Sequence, residues 1–211
     1  MKEQKSVTVD QSYPYEDLLM VCKDPANALE KAGNKDLEAP RGYRWIRPAE
    51  AADLKQEWAR LLVELKFVDS QEQAEEIFAG MQKKDPAFFA NHLYALKSLD
   101  DGHLACSVGL WPGDHFENGI RIHWMMTSPK DQKKGLARAV LKKAIAAYEA
   151  QKPADLLYLS TQAGSWPAIL LYESLGFVPF EEASRHVEAA ENQARWQRTR
   201  ARVQEKEGVS L

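Results

Sequence analysis

Cysteine is scarce: Cys22 and Cys106 are the two in 211 residues, too few and too far apart for a disulfide framework or a cysteine-based metal site. No apolar run approaches membrane-spanning length. The first residues, Met1-Lys2-Glu3-Gln4-Lys5-Ser6-Val7, lack the apolar centre of a signal peptide. Positive charge is not in excess either, with 28 Lys and Arg against 31 Asp and Glu and a formal net charge of -3, which argues against nonspecific nucleic-acid binding as the main activity. Internal repeats and low-complexity segments are missing too. Together these deficits predict a cytoplasmic protein in a reducing compartment, with no membrane partner, no nucleic-acid partner and no resident metal.

What remains is the composition of an ordinary globule, 45% hydrophobic and 28% charged. The length suits one sizeable core with an extension. Residues 1–40 are polar apart from Leu18-Leu19-Met20-Val21-Cys22, and read as an N-terminal extension that packs a strand or turn against a main domain at 41–211. Gly42 to Arg47 alternates and stops at Pro48, as a strand does before a turn. Leu54, Trp58, Leu61, Leu62 and Leu65 then form the stripe of one helix. Ser70 and Gln73 are spaced as a capping box for a second helix carrying Ala74, Ile77, Phe78 and Met81.

Two strand-like runs, His92 to Leu99 and His103 to Leu110, flank Asp100-Asp101-Gly102, whose turn chemistry favours a hairpin. Trp111-Pro112-Gly113-Asp114 reads as a loop. A strand through Ile120 and Met126, a helix from Gly135, a strand from Leu156 to Thr161 and a helix from about Trp166 to Leu175 follow, with Gly176 as the C-cap. Phe177 to Phe180 opens another strand. Residues 195–203 either pair with it as a strand or form a helix; Arg195, Arg198, Arg200 and Arg202, flanked by glutamates, read as a solvated face. This order predicts an α/β (α+β) fold with a mixed, largely antiparallel central sheet and helices on both faces.

One junction concentrates the chemistry. Ile120, Ile122, Trp124 and Met126 alternate with Arg121, His123, Met125 and Thr127, a strand with two unlike faces. Leu136, Val140, Leu141, Ala144, Ile145 and Tyr148 then recur at helical spacing, so a helix starts close to Gly135. Its first N–H groups have no partners within the helix. Gly135 permits close approach, and Lys133, Lys134 and Arg138 add positive charge, which makes the corner an anion site.

Alone, a glycine among lysines before a helix is an ordinary loop. Here Gln132-x-x-Gly135-x-Ala137 is followed by a second segment from Ser165 to Phe177, in which Ala168, Tyr172, Gly176 and Phe177 keep the spacing A-x-x-x-Y-x-x-x-G-F. Together the two segments resemble the GNAT acetyltransferase superfamily, with a less specific likeness from about Gly42 to the C-terminal region. Ala137 departs from the family's frequent third glycine, and Ser165 stands where asparagine is usual.

The resemblance implies a GNAT-like fold and acetyl-CoA as cosubstrate. It implies that Gln132, Lys133, Lys134, Gly135, Leu136, Ala137 and Arg138 surround the pyrophosphate, that Met125, Met126 and Thr127 give backbone contacts to the pantetheine arm, and that Ser165 and Tyr172 also meet the cofactor. Tyr172 would protonate the leaving thiolate, a phenol of pKa about 10 being a donor at neutral pH; on periodicity alone it is a core tyrosine. His123, placed by alternation with Arg121 and Met125 and opposite Trp124, is the candidate base. A packed strand histidine is the plain alternative, and His115, Asp114, Glu117 or solvent are rival proton acceptors. An unpaired backbone N–H near Met126 would stabilise the oxyanion. Leu65, Phe67, Val68, Phe88, Phe89 and Trp111 are candidate pocket residues as well as core residues.

The expected activity is therefore N-acetyl transfer from acetyl-CoA to a small-molecule amine by direct attack in a ternary complex. A noncatalytic acyl-CoA-binding or regulatory module on the same scaffold, and a protein N-acetyltransferase, are the alternatives. A homodimer is compatible with all three.

Overall fold

A computed structural model describes residues 9–33, 37–48, 52–151 and 156–211. The parts of the expected N-terminal extension at 1–8 and 34–36 lie outside these. The strands are β1 (Leu18–Cys22), β2 (Tyr43–Ile46), β3 (Leu93–Ser98), β4 (Leu104–Pro112), β5 (Gly119–Thr127), β6 (Leu156–Thr161) and β7 (Phe177–Pro179). The helices are α1 (Pro25–Lys31), α2 (Leu54–Glu64), α3 (Gln71–Lys84), α4 (Pro86–His92), α5 (Leu136–Gln151), α6 (Trp166–Glu173) and α7 (Ala189–Glu207). The strand order is β2-β3-β4-β5-β6-β1-β7, a mixed sheet with helices on both sides. β1 runs antiparallel to β6 and β7, as do β2 to β3 and β3 to β4, while β5 and β6 are parallel. Among the described residues no helix is long and apolar enough to cross a membrane. The described residues fall into two compact units, one of 37–111 and 123–147 and one of 9–33, 112–122 and 148–211.

The first unit is organised around Trp58. Leu54, Trp58, Leu61 and Leu62 recur at helical spacing and are buried on α2, and they meet Phe78 of α3, Phe89 of α4 and Met126 of β5 in one apolar cluster. The Trp58 ring lies edge-on to Phe78 at 5.4 Å and to Trp124 at 5.6 Å, the offset geometry aromatic quadrupoles prefer. Ser70 caps α3 by accepting the Gln73 N–H at 3.1 Å. Gln73 accepts in return from Asp69 rather than from Ser70, at 3.3 Å, so the reciprocal half of the expected box is shifted by one residue. Helix α4 was not anticipated. Its signal is local, since Asp85 accepts the Phe88 N–H at 2.9 Å and Pro86 occupies the first turn. The expected hairpin is present as β3 and β4, but β4 continues to Pro112, so Trp111 belongs to a strand and not to a loop.

In the second unit the apolar island of the expected extension is β1, every residue of it buried, with β6 on one side and β7 on the other. The expected alternative of a strand at 195–203 beside β7 is incorrect: those residues lie in α7. The spacing of buried Asn192, Trp196, Thr199 and Val203 explains the choice, a helical stripe of four, and Trp196 Nε1 donates to the Leu19 carbonyl at 3.2 Å. The arginines of α7 are ion-paired: Arg195 to Glu191 at 2.9 Å, Arg198 to Glu16 at 2.6 Å, Arg200 to Glu181 at 2.6 Å and Arg202 to Glu16 at 3.5 Å. Helix α6 is capped at Ser174, so Gly176 lies two residues beyond the cap rather than at it.

Candidate active site

Between β5 and α5 the chain makes a short 3-10 turn at Pro129–Asp131, after which Gln132 is extended. Lys133 and Gly135 take left-handed backbone angles, φ 63° and φ 80°. Leu136 is buried with Val140, Leu141, Ala144 and Ile145, which anchors one face of α5. Lys133, Lys134, Gly135 and Arg138 are exposed, and Gln132 and Ala137 are half-buried. A Cβ built on Gly135 would meet nothing within 4 Å. The head of this sixteen-residue helix is therefore open, as an anion site at the positive end of a helix dipole requires.

The turn is held from below by groups that sequence reasoning missed. Asp131 is only 3% exposed and accepts from the Tyr43 hydroxyl at 2.7 Å, from Lys134 Nζ at 2.8 Å and from His103 Nε2 at 2.5 Å. Lys134 also donates to Tyr43 at 3.1 Å, and the other ring nitrogen of His103 meets Asp101. Burial alone would raise the Asp131 pKa, yet the hydrogen bonds from Lys134, His103 and Tyr43 outweigh it and hold the carboxyl below its ordinary range. The same side chains line a cavity of about 570 Å³. Nothing local announces this cluster, because its members lie 28 and 88 residues apart along the chain. Lys134, expected on a phosphate, has its charge compensated by Asp131.

At the end of β5, Met126 is buried in the core of the first unit and the Thr127 hydroxyl lies 3.2 Å from Cys106 Sγ. Met125 is half-buried. Trp124 has φ 52°, a left-handed angle that is an outlier for a bulky residue and breaks the strand's alternation. The expected placing of His123 opposite Trp124 is therefore corrected: their rings are 4.3 Å apart between centroids, tilted by 49°. Periodicity could not disclose this, since a single left-handed backbone angle leaves no mark in an alternating pattern.

Tyr172 of α6 is 7% exposed, and its ring lies 6.2 Å from Phe177. Burial pushes its hydroxyl far above the ordinary phenol value, so it remains a proton donor at any physiological pH. Ser165 is the N-cap residue of α6 but makes no side-chain cap bond; its N–H donates to the Gln162 carbonyl at 2.9 Å. Among the rival bases, His115 is buried with Nε2 3.7 Å from Asp17, and burial lowers its pKa despite Asp17 and Asp114 nearby. Asp114 lies 3.4 Å from His186, and Glu117 is exposed. Of the candidate pocket residues, Leu65 and Phe89 are core and Val68 packs on the core. Phe88 stacks on His92 and meets Trp111 edge-on, while Phe67 is 44% exposed and edge-on to Trp124. Among the described residues no group of three or more His, Cys, Asp or Glu is placed to hold a metal ion.

The open corner and the tyrosine helix lie within the part of the chain, residues 52–177, that matches the model of the acetyltransferase (GNAT) family. The chain belongs to the GNAT acetyltransferase family. Solved structures of the family share the fold. A GNAT-family acetyltransferase from Novosphingobium aromaticivorans is 20% identical with a TM-score of 0.50, over 84% of this chain and 67% of that one. A GCN5-related N-acetyltransferase from Sphaerobacter thermophilus is 17% identical with a TM-score of 0.58, over 79% of this chain and 50% of that one. A GNAT-family acetyltransferase from Colwellia psychrerythraea is 11% identical with a TM-score of 0.56, over 79% and 53%. This chain thus spans between half and two thirds of the length of those chains. No protein among curated sequences matches it. The match leaves β1, α1, β2 and α7 outside it, together with β7 beyond Phe177.

Proposed function

We propose that this GNAT protein is an acetyl-CoA-dependent N-acetyltransferase acting on a small-molecule amine by direct attack in a ternary complex. The observation that carries the reading is the open head of α5, where Gly135 at φ 80° leaves the space beside it empty to 4 Å. The peptide N–H groups of 135–138, with the exposed Lys133 and Arg138, suit a diphosphate. Lys134 serves differently from the expectation, locking the turn through Asp131 and Tyr43. Gln132, Leu136 and Ala137 complete the corner, with Leu136 acting from the core side.

Acetyl-CoA supplies an activated acetyl thioester. The peptide groups of Met125, Met126 and Thr127 receive the pantetheine arm, since the Met126 side chain is in the core and the Thr127 hydroxyl faces Cys106. Tyr172 keeps its proton, because burial raises its pKa, and its hydroxyl hydrogen-bonds to the departing thiolate, giving up the proton as the C–S bond breaks. His123, whose ring lies against Trp124, takes the proton of the amine. Ser165 contributes at the head of α6.

Release of free thiol at saturating acetyl-CoA, measured across a panel of small amines and of peptides with free N-termini, tests the reading. Turnover that requires a small amine supports it. Turnover on peptides alone makes the protein a protein N-acetyltransferase, and coenzyme binding without thiol release makes it a noncatalytic acyl-CoA-binding module.

A further inference from the structure

Within the first unit the α5 corner adjoins the cavity of about 570 Å³, which is walled by the loop 40–43 before β2, by the turn between β3 and β4, and by Lys130, Asp131 and Lys134. Side chains tie these walls together. Asp131, 3% exposed, accepts from Tyr43, Lys134 and His103, and Asp101 takes the other His103 nitrogen together with Lys130 Nζ, the latter at 2.9 Å. The loop is joined to the turn by the Leu99 N–H, which donates to the Gly42 carbonyl at 2.9 Å. These bonds fix where the ammonium groups of Lys130 and Lys134 stand, so the cavity does not have to order them when a ligand arrives.

The lining is short of acceptors. An ammonium carries three N–H donors and a guanidinium five. Lys134 spends two of its donors, on Asp131 and Tyr43, and Lys130 spends one on Asp101. Arg41, exposed on the cavity wall, has no ion pair among the described residues. Asp131 and Asp101 are already committed to their donors, which leaves Asp100 as the lining carboxylate with no side-chain partner among the described residues. The complement of such a cavity is a group with several acceptor oxygens and negative charge, with a hydroxyl beside it for Asp100. A phosphomonoester brings three acceptor oxygens and a charge of about −1.5 to −2 at neutral pH. The cavity meets the proposed diphosphate corner at Lys134, the residue before Gly135. In coenzyme A the ribose that carries the diphosphate also bears a 3′-phosphate and, next to it, a free 2′-hydroxyl.

We propose that this cavity is a phosphomonoester site that takes the ribose 3′-phosphate of the coenzyme, with Arg41, Lys130 and Lys134 on the phosphate and Asp100 on the neighbouring hydroxyl. This rests on the acetyl-CoA reading and adds to it a second anion site, one that distinguishes the coenzyme from its dephosphorylated form. The shared chemistry is a phosphomonoester, and a phosphate carried by the acceptor amine is the competing source. Continuity with the α5 corner through Lys134 favours the coenzyme.

Calorimetry on the full-length protein compares coenzyme A with 3′-dephospho-coenzyme A, which keeps the diphosphate, and needs no turnover. Coenzyme A binds the more tightly by about tenfold to a hundredfold, the worth of a charge-assisted hydrogen bond. Arg41→Gln and Lys130→Gln each narrow that gap, and the double variant nearly closes it. Both side chains are exposed and the Lys130–Asp101 pair is a surface one, so these variants fold. Equal affinity for the two coenzymes in the parent overturns the proposal and leaves the diphosphate reading in place, as does a gap that survives the double variant undiminished. Binding of neither coenzyme removes the diphosphate reading and the proposal with it. Phosphoethanolamine and ethanolamine are then titrated into protein saturated with coenzyme A. A preference for phosphoethanolamine that is lost in Lys130→Gln assigns the cavity to the acceptor and overturns the proposal; no preference, or one indifferent to Lys130→Gln, supports it.

Discussion

Replacing Gly113 by alanine puts a methyl group where Tyr158 already is. The added Cβ would overlap the Tyr158 hydroxyl oxygen and lie 2.5 Å from Cζ. Tyr158 has no room to yield: it is fully buried, with the rings of Phe116 at 4.8 Å and His115 at 5.9 Å. The Gly113 backbone is fixed in turn by its N–H bond to the Gly119 carbonyl at 2.8 Å. Overpacking of an enclosed site costs about 3 kcal/mol, the upper end of its usual range. Displacing the hydroxyl from the His115 N–H, which it accepts at 3.4 Å, adds about 1 kcal/mol. For a chain of this size the sum corresponds to a fall in melting temperature of roughly 8–16 °C. Tyr158→Phe alone costs about 1 kcal/mol. In the double variant the oxygen clash is gone but the overlap with Cζ remains, so the two effects are coupled by about 1 kcal/mol rather than additive. Thermal or urea unfolding of the four proteins completes the cycle. A Gly113→Ala protein melting within about 2 °C of the parent, or strict additivity, refutes the reasoning and with it the close packing around Tyr158.

Asp131→Asn is expected to cost about 1.5–3 kcal/mol at pH 7, because the hydrogen bonds from Tyr43, Lys134 and His103 lose their charged acceptor. Since the Asp131 pKa is depressed, its contribution is complete above the ordinary carboxylate pKa of about 4 and is lost as pH falls through the folded value. The variant therefore shows a shallower acid limb in its stability profile, and superimposable profiles contradict the pairing. Burial pushes the Cys106 thiol up to about 12 and the Cys22 thiol up to about 11, so native protein at pH 8 resists alkylation by iodoacetamide until it unfolds; rapid labelling of either by mass spectrometry contradicts their burial. Tyr172→Phe lowers the maximal rate by roughly 100-fold or more with acetyl-CoA affinity retained, and an unchanged rate removes the acid role. His123→Ala abolishes the rising limb of the rate–pH profile, and survival of that limb assigns the base elsewhere.

The junction of β5 and α5 was legible because both periods, two and then 3.6, are carried by neighbouring residues, and Gly135 marks the change between them. Helices α2 and α3 were legible for the same reason, their stripes and the Ser70 cap being local. What escaped is set by partners distant in sequence. The place of β1 inside the sheet depends on β6 and β7, more than 130 residues away. At the site, the exposed corner was visible, but the Asp131 cluster assembles Tyr43, His103 and Lys134 from three parts of the chain. The left-handed angle at Trp124 is a backbone event with no residue signature, and the rings of His123 and Trp124 lie side by side where alternation put them on opposite faces. Helix α4 escaped despite a local signal, the cap residue Asp85 followed by Pro86.

The central claim, that the amides at the head of α5 grip the diphosphate of acetyl-CoA, is tested most directly by melting the parent and Gly135→Leu proteins with and without the coenzyme. At a hundredfold excess over Kd, the parent gains about 2.7 kcal/mol, or roughly 5–11 °C. Gly135→Leu pays about 1–2 kcal/mol for its left-handed backbone but still folds, since nothing lies within 4 Å of the new Cβ, and acetyl-CoA no longer raises its melting temperature. No shift in the parent at saturating acetyl-CoA, or an undiminished shift in Gly135→Leu, contradicts the account.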